Sequence, residues 1–402
     1  MVDFTFTEEQ ELFRQAMRDF CEKKLAPRAR EIEENGRIPD DVIKGLADLG
    51  VLGMTCSNEY GAAGSDFVTA GIAAEEIARA DISCATAVFF LVQAAWGKIL
   101  DRYGGDEVRS EVIPKMVKGE IFLGIATTEP DAGSDLGSMR STARKEGDKY
   151  ILNGEKMYIS GVREVMELMK DGGGHLTLVK TAPERGVRGM TFFYVPLRQA
   201  KGITPTYIEE MGRRGISTGG FAMENVEIPE KYRVGPENRG FYIAMEGFDY
   251  ARALIAAVCV GAAMSAMEQG IEYIKQRKAF GKPIAKYEGI QFKLSENYAL
   301  MDAVRLLAYR ALWLIDRELE GKASRFEVTK AVAMAKMLAP PLAFQAINDA
   351  MQWFGALGYS KECPIEMGLR GVRSYMWAEG SNEIMKLIVA RELIGKEYLP
   401  TR

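Results

Sequence analysis

The sequence predicts an α+β protein of three units: an N-terminal helical domain (residues 1–120), a middle β-barrel-like domain (121–232) and a C-terminal four-helix bundle (233–402). Three observations predict it. Apolar residues recur every three to four positions over the first 120 residues. Short β-type runs separated by turn residues begin near Ile121. From Phe241 onward the helical period returns, with three successive segments longer than 25 residues, the pattern of an antiparallel bundle. A chain of 402 residues has ample material for a large core.

In the first unit, Leu12, Met17 and Phe20, and then Val42, Ile43, Leu46 and Leu49, mark amphipathic helices. Pro27, Pro39, Gly50 and the Gly61–Gly64 loop interrupt them. Ala70–Ala80 is a further helix. Ser83–Leu100 is almost wholly apolar and predicts a buried helix or one wall of a pocket. The middle unit offers strands at Ile121–Thr128, Tyr150–Leu152, Met157–Ser160, Leu176–Lys180, Met190–Val195 and Phe221–Ile228. Asn153-Gly154 reads as a hairpin turn between two of them. The last unit predicts helices over Ala251–Arg277, Glu288–Leu319, Arg325–Leu357 and Ser381–Gly395. Its Ala-rich faces allow close helix approach, within the bundle or between subunits.

Composition excludes several function classes. The formal charge is −4, which leaves no basic footprint for nucleic acid. The five cysteines are scattered without C-x-x-C spacing, so reduced thiols are expected, with neither a disulfide framework nor a metal site. The one histidine, His175, follows Gly172-Gly173-Gly174 and is expected at the surface; acid–base chemistry falls to a carboxylate. No signal peptide opens the sequence and no apolar run approaches the ~18–20 residues of a membrane span, so a cytoplasmic enzyme is expected.

Residues 125–135, IATTEPDAGSD, carry the chemistry furthest. An apolar strand runs into a Thr-Thr pair, a Pro turn and an Ala-Gly-Ser loop, which offers hydroxyls and free N–H groups at a strand end. Two later segments, Arg277-Lys278-Ala279-Phe280-Gly281-Lys282 and Ala378-Glu379-Gly380-Ser381-Asn382-Glu383, complete a pattern. In this order and spacing, over essentially the whole chain, it resembles the acyl-CoA dehydrogenase family, flavin enzymes that desaturate acyl thioesters. Read alone, Glu379 fits an N-terminal helix charge, and Arg277, Lys278 and Lys282 fit a solvated helix end.

The resemblance implies a base that removes the α-proton while a hydride leaves Cβ for FAD. Tyr375–Ser381 matches the family's base loop, which makes Glu379 the base and Gly380 the close neighbour of the thioester. The backbone N–H of Glu379 and a ribityl hydroxyl of FAD would polarise the thioester oxygen. Members that carry the base on an earlier helix place it where this chain has Ala251, which cannot serve. Ile125, Thr127, Thr128, Gly133 and Ser134 are implied to line the isoalloxazine, with Ser134 also facing the CoA arm. Tyr158-Ile159-Ser160 matches a Trp-Ile-Thr element that covers one flavin face. Arg277 is implied to pair with the FAD pyrophosphate across a subunit boundary. Phe280, Gln352, Trp353, Gly355 and Ala356 match parts that hold the adenine half, and Ser381 and Asn382 offer helix-start N–H groups. Glu288 stands where Gln is common beside the neighbouring FAD, and a negative charge there calls for a compensating cation. Asp249 and Arg252 match a CoA-contacting segment; an interdomain salt bridge is the alternative for Arg252. Residues 162–174 are longer than the usual link, either a device for partner docking or a neutral loop.

The helix run Ala87, Val88, Phe89, Leu91, Val92 contains no cation, which favours an uncharged acyl group. Ala378 stands where straight-chain members often carry a large aromatic residue, which leaves room for a branched or alicyclic acyl group. The resemblance further implies an electron-transfer flavoprotein as acceptor and a homotetramer. An enoyl-CoA reductase, an acyl-CoA oxidase and a catalytically silent acyl-CoA-binding relative are the competing functions on the same scaffold.

Overall fold

The computed structural model describes residues 4–399; the outermost residues of the first and last predicted units, 1–3 and 400–402, lie outside the described residues. Six helices lead: α1 (Glu8–Phe20), α2 (Ala29–Asn35), α3 (Asp40–Asp48), α4 (Phe67–Ala80), α5 (Ala85–Tyr103) and α6 (Asp106–Val117). Thr7 starts α1 with a capping box, its hydroxyl accepting from Gln10 N at 3.2 Å. α5 is buried on nearly every side, which is why it shows no polar face.

Eight strands follow: β1 (Phe122–Ala126), β2 (Thr142–Glu146), β3 (Lys149–Ser160), β4 (Gly173–Lys180), β5 (Met190–Val195), β6 (Ile203–Ile208), β7 (Thr218–Pro229) and β8 (Arg233–Val234). They form one sheet in the order β6-β7-β3-β2-β4-β5-β8, and β1 runs parallel to β4 with Gly124 opposite His175. The Asn153-Gly154 reading is corrected: both residues lie inside the continuous β3, where the register with β7 shifts between Leu152 and Gly154. Asn-Gly supplies a positive φ, and a bulge uses it as readily as a hairpin turn does. The turn from β2 to β3 falls instead at Gly147 (φ +62°). β2 and β6, too polar on one face to read as strands, pair with β3 and β7.

The chain then enters α7 (Gly240–Gln276), a short hairpin of β9 (Lys278–Ala279) and β10 (Lys282–Pro283), α8 (Glu288–Leu319), α9 (Arg325–Trp353), α10 (Ile365–Arg373) and α11 (Asn382–Ile394). α7 packs on α8 and α9, and α11 on α9. α7 also packs on α4 and α5, so one apolar helix joins the first and last units. It is the exception to the sequence reading on membrane spans: by length and composition it is apolar enough to cross a bilayer, but 89% of that apolar window is buried inside the protein. All five cysteines are buried free thiols.

Candidate active site

The Tyr375–Ser381 segment, expected to carry the base, lies between α10 and α11. Glu379 adopts φ +57° and Gly380 φ +97°, two successive left-handed residues that turn the chain sharply. Ser381 then starts α11, its hydroxyl accepting from Ile384 N at 3.3 Å. The left-handed conformation costs about 1–2 kcal/mol at a non-glycine residue. Two buried cations hold it in place. Arg252 Nε donates to the Glu379 carbonyl at 2.7 Å, and Lys336 Nζ donates to the Gly380 carbonyl and, at 3.5 Å, to Asn382 Oδ1. Arg252 is fixed in turn by Asp249 Oδ1 at 3.0 Å. Asp249 Oδ2 accepts from Arg325 at 2.6 Å and from Thr329 at 2.7 Å. Gly380 has no alternative, because a Cβ there would sit 3.2 Å from Arg252 Nη2 and 3.1 Å from Met385 Cε at a φ that L-residues avoid.

This framework sets the electrostatics. Glu379 Oε2 is buried and without a hydrogen-bond partner among the described residues. Burial pushes the Glu379 carboxyl up to about 7, against the opposing pull of Arg252, Lys336 and Arg213. Burial, and then the like charge of Arg252, brings the Lys336 ammonium down to about 7. The backbone N–H groups of Glu379 and Gly380 make no hydrogen bond among the described residues. A carboxylate with a free oxygen therefore sits beside free N–H donors, the pairing that α-proton removal from a thioester requires.

In the β-domain a second buried cluster holds the strand-end loop. Lys156, fully buried in β3, donates to Glu129 Oε1 at 2.9 Å and to the Thr127 carbonyl at 3.2 Å. Burial lowers the Lys156 ammonium to about 8, opposed by Glu129. Glu129 also accepts from Arg140 N at 2.6 Å and Ser141 N at 2.9 Å, which pins both ends of the loop that exposes Gly133 and Ser134. Met157 N donates to the Thr128 carbonyl at 3.0 Å. Ile125 and Thr128 are half-buried, Thr127 buried. Tyr158 stands on a second bulge of β3 at φ +60° with its side chain 66% exposed, whereas Ile159 faces the core.

The expectation for His175 is corrected. It is fully buried, and its Nε2 lies 2.9 Å from the Ser160 carbonyl. Phe122 and Phe221 flank the ring at 6.1 and 5.9 Å, and it fills the space over Gly124, where a Cβ would lie 2.3 Å from it. Burial lowers its pKa to about 4, so it is a neutral pin under the end of β3.

A third group gathers at one end of the bundle and, among the described residues, shares no hydrogen bond, ion pair or ring contact with the Tyr375–Ser381 segment. Arg277 is exposed where α7 ends and forms no ion pair among the described residues. Phe280 is 98% exposed at φ +47° on the β9–β10 turn, and Glu288, exposed, opens α8. Tyr273 stacks on Phe354 at 4.3 Å and ties this end of α7 to that of α9. There Gln352, Gly355 and Ala356 are exposed, while Trp353 is buried over Gly270. Glu288 meets no compensating cation among the described residues.

Sequence reasoning missed Lys156, Arg213 and Lys336. The one signal for Lys336 was a lone charge in the run Ala331–Ala339 of otherwise small and apolar residues. The segment 162–174 acquires a role: it forms a π-helical turn over Glu164–Leu168, and the buried Glu164 accepts from Ser217 N at 3.0 Å and from the Ser217 hydroxyl.

Comparison with known proteins decides the family. The N-terminal, middle and C-terminal domain models of acyl-CoA dehydrogenases match residues 7–120, 124–226 and 238–394. The chain belongs to the acyl-CoA dehydrogenase family. It is 36% identical to an acyl-CoA dehydrogenase of Bacillus subtilis, over 97% of this chain and 99% of that one. It is 35% identical to the 3-(aryl)acrylate reductase of Clostridium sporogenes, over the same shares. Among solved structures, the glutaryl-CoA dehydrogenase–glutaryl-CoA complex superposes with a TM-score of 0.91 at 30% identity, covering 98% of this chain and 97% of that one. Butyryl-CoA dehydrogenase from Megasphaera elsdenii gives 0.89 at 29%, covering 98% and 100%. As an acyl-CoA dehydrogenase family member the protein is an FAD-dependent oxidoreductase acting on CH–CH bonds. Its residues fit that cofactor: the left-handed Tyr158 leaves an exposed ring next to Met157, which bonds the strand end at Thr128, and Arg277 is an exposed cation with no ion pair among the described residues.

Proposed function

We propose that this acyl-CoA dehydrogenase family member desaturates the α,β-bond of a bulky, uncharged acyl-CoA, branched or alicyclic, with Glu379 as the base. The observation that carries the proposal is the buried, unpartnered Oε2 of Glu379 on a carboxyl tuned to about 7. Above that pH the carboxylate is ionised and takes the α-proton. Arg252 and Lys336 hold the loop carbonyls away, so the Glu379 N–H stays free to donate to the thioester oxygen as its charge grows. FAD, when bound, supplies the hydride acceptor.

In this reading Ile125, Thr127, Thr128, Gly133, Ser134, Tyr158, Ile159 and Ser160 line the flavin. Arg277, Phe280, Glu288, Gln352, Trp353, Gly355, Ala356, Ser381 and Asn382 hold the dinucleotide. Ser134, Asp249, Arg252 and Gly380 border the substrate, Arg252 acting through the Glu379 loop. The half-buried Ala378 supports the choice of a bulky acyl group, since a methyl leaves space next to the base. So do relatives named for such chemistry: cyclohexane-1-carbonyl-CoA dehydrogenase of Geobacter metallireducens and isobutyryl-CoA dehydrogenase of Dictyostelium discoideum, each 32% identical. An electron-transfer flavoprotein is the proposed acceptor, supported by the 32% identity to the caffeyl-CoA reductase–Etf complex subunit of Acetobacterium woodii. A cytoplasmic homotetramer is the proposed state. The exposed Phe292, Leu300, Leu306 and Trp313 on α8 support it, as does the solvent-facing group around Phe280. A second reading, reduction of an enoyl-CoA, is favoured by the 35% identity to an arylacrylate reductase.

Anaerobic titration of the FAD-loaded protein with straight, branched and alicyclic acyl-CoAs, followed at about 450 nm where oxidised flavins absorb, tests the proposal. Bleaching by branched or alicyclic members ahead of butyryl-CoA is the expected result. Faster bleaching by butyryl-CoA overturns the acyl-group choice. No bleaching by saturated thioesters, with reoxidation of reduced flavin by an enoyl-CoA, favours the reductase reading.

A further inference from the structure

The loop between β6 and β7 carries a buried cation that α5 does not supply. It is wedged between two helices: a Cβ at Gly212 would lie 2.5 Å from Arg370 Cβ, and one at Gly215 would lie 2.9 Å from Ala85 Cβ at the start of α5. Between these contacts Arg213, at φ +50°, turns inward and is 8% exposed. Its guanidinium donates to Glu210 Oε1 and Thr218 Oγ1, both at 3.0 Å, and to Ser160 Oγ at 3.4 Å. Its Nε is buried without a partner. Gly371 of α10 lies on Ser83, just before α5, and Tyr375 follows Gly371 by one turn. Tyr375 is 2% exposed, and its hydroxyl also has no partner. Burial raises the Tyr375 hydroxyl well above its ordinary value and the Glu379 carboxyl to about 7, and the nearby charge of Arg213 opposes both shifts.

Two donors thus stand idle beside the base, four residues from it on one side and bonded to the flavin-strand residue Ser160 on the other. A buried polar group without a partner costs about 1–3 kcal/mol, which a ligand that pairs with it recovers. We infer that Arg213 and Tyr375 form the closed end of the acyl subsite and receive an acyl group bearing a neutral oxygen, a hydroxyl or a ketone, on its ring or branch beyond Cβ. A neutral oxygen fits better than a carboxylate, because Glu210 already balances the charge of Arg213 and a second buried anion would go unpaired. The inference rests on the acyl-CoA reading above and narrows its substrate class.

The test uses the full FAD-loaded chain. Dissociation constants are measured anaerobically, by calorimetry and flavin spectral shift, for cyclohexanecarbonyl-CoA, its 3-hydroxy, 4-hydroxy and 4-oxo derivatives, and glutaryl-CoA. At least one oxygenated ring is expected to bind more than about tenfold tighter than the plain ring. Tyr375→Phe and Arg213→Met are each expected to cut that ratio by about fivefold or more; a ratio cancels general losses of affinity. Tyr375→Phe removes an oxygen with no hydrogen-bond partner among the described residues, so it carries the test if Arg213→Met does not fold. Equal binding of plain and oxygenated rings, a ratio unmoved in Tyr375→Phe, or tighter binding of glutaryl-CoA overturns the inference alone. Failure of every acyl-CoA to bind overturns it together with the acyl-CoA reading.

Discussion

Arg252 Nε donates to the backbone carbonyl of Glu379 at 2.7 Å, so a residue on α7 sets the backbone of a residue 127 positions later without touching its carboxylate. Arg252 is 5% exposed and paired with Asp249, which is 2% exposed. Arg252→Met therefore removes both the clamp on the left-handed Glu379 and one partner of a buried ion pair. Breaking such a pair costs about 3–5 kcal/mol. The expected outcome is a lowered urea midpoint and, in protein that remains folded with FAD, a fall in the rate of flavin reduction larger than any rise in KM. Stopped-flow reduction and urea melts measure both.

Glu379, the proposed base, gives a prediction with a sign. Its carboxyl is raised by burial to about 7 from an ordinary 4.5. Between those values the native state binds the proton more readily than the unfolded chain, so the group costs stability as pH rises through that window. Glu379→Gln lacks the proton and the cost. It is expected to be more stable than the parent at pH 8, by up to about 3 kcal/mol, and to match it below pH 4. The same variant is expected to abolish exchange of the acyl α-proton with deuterium oxide while still binding FAD. Denaturation at the two pH values and mass spectrometry of the acyl-CoA check the two halves separately.

Lys336 acts on the same carboxyl through charge. It draws Glu379 towards ionisation, while its amine is held at about 7 by burial and by Arg252. Lys336→Met is expected to move the alkaline rise in the flavin-reduction rate to higher pH and to loosen Gly380 and Asn382, its two partners. A pH–rate profile unchanged in position would show that the lysine is only a structural tie.

How far the sequence could have led depends on what each residue's neighbours in the chain disclose. α8 was legible to its ends, because the polar turn before Glu288 and the Gly321–Ser324 break bracket an unbroken helical period. Glu379 was legible only through its resemblance to a known loop, since a Glu before Gly at a helix start is common. Lys336 and Lys156 were not, because the partner that makes each buried charge tolerable lies 44 and 27 positions away. Arg213 was not either: its carboxylate partner Glu210 is only three positions away, but nothing in that polar turn marks the arginine as buried. His175 was misread for the same reason: glycines beside it suggested a surface turn, yet they serve a strand packed closely on β1.

That buried histidine supplies the last prediction. Its ring is neutral, with a pKa brought down to about 4 by burial, against an ordinary value of 6.5. The unfolded chain takes up a proton first as pH falls, so the stability this site contributes is present above 6.5 and lost on the way down to 4. The loss at this site amounts to about 3 kcal/mol. Nδ1 has no hydrogen-bond partner among the described residues, and a protonated ring would bury an unpaired N–H donor there beside Phe122 and Phe221. His175→Gln keeps a donor towards the Ser160 carbonyl without a titrating ring. It is expected to be less stable than the parent at pH 7.5, where packing is lost, but to show a shallower decline between pH 6.5 and 4.5. Urea unfolding across that range measures the slopes. Parallel slopes in the two proteins would mean that the histidine is not the acid-sensitive element.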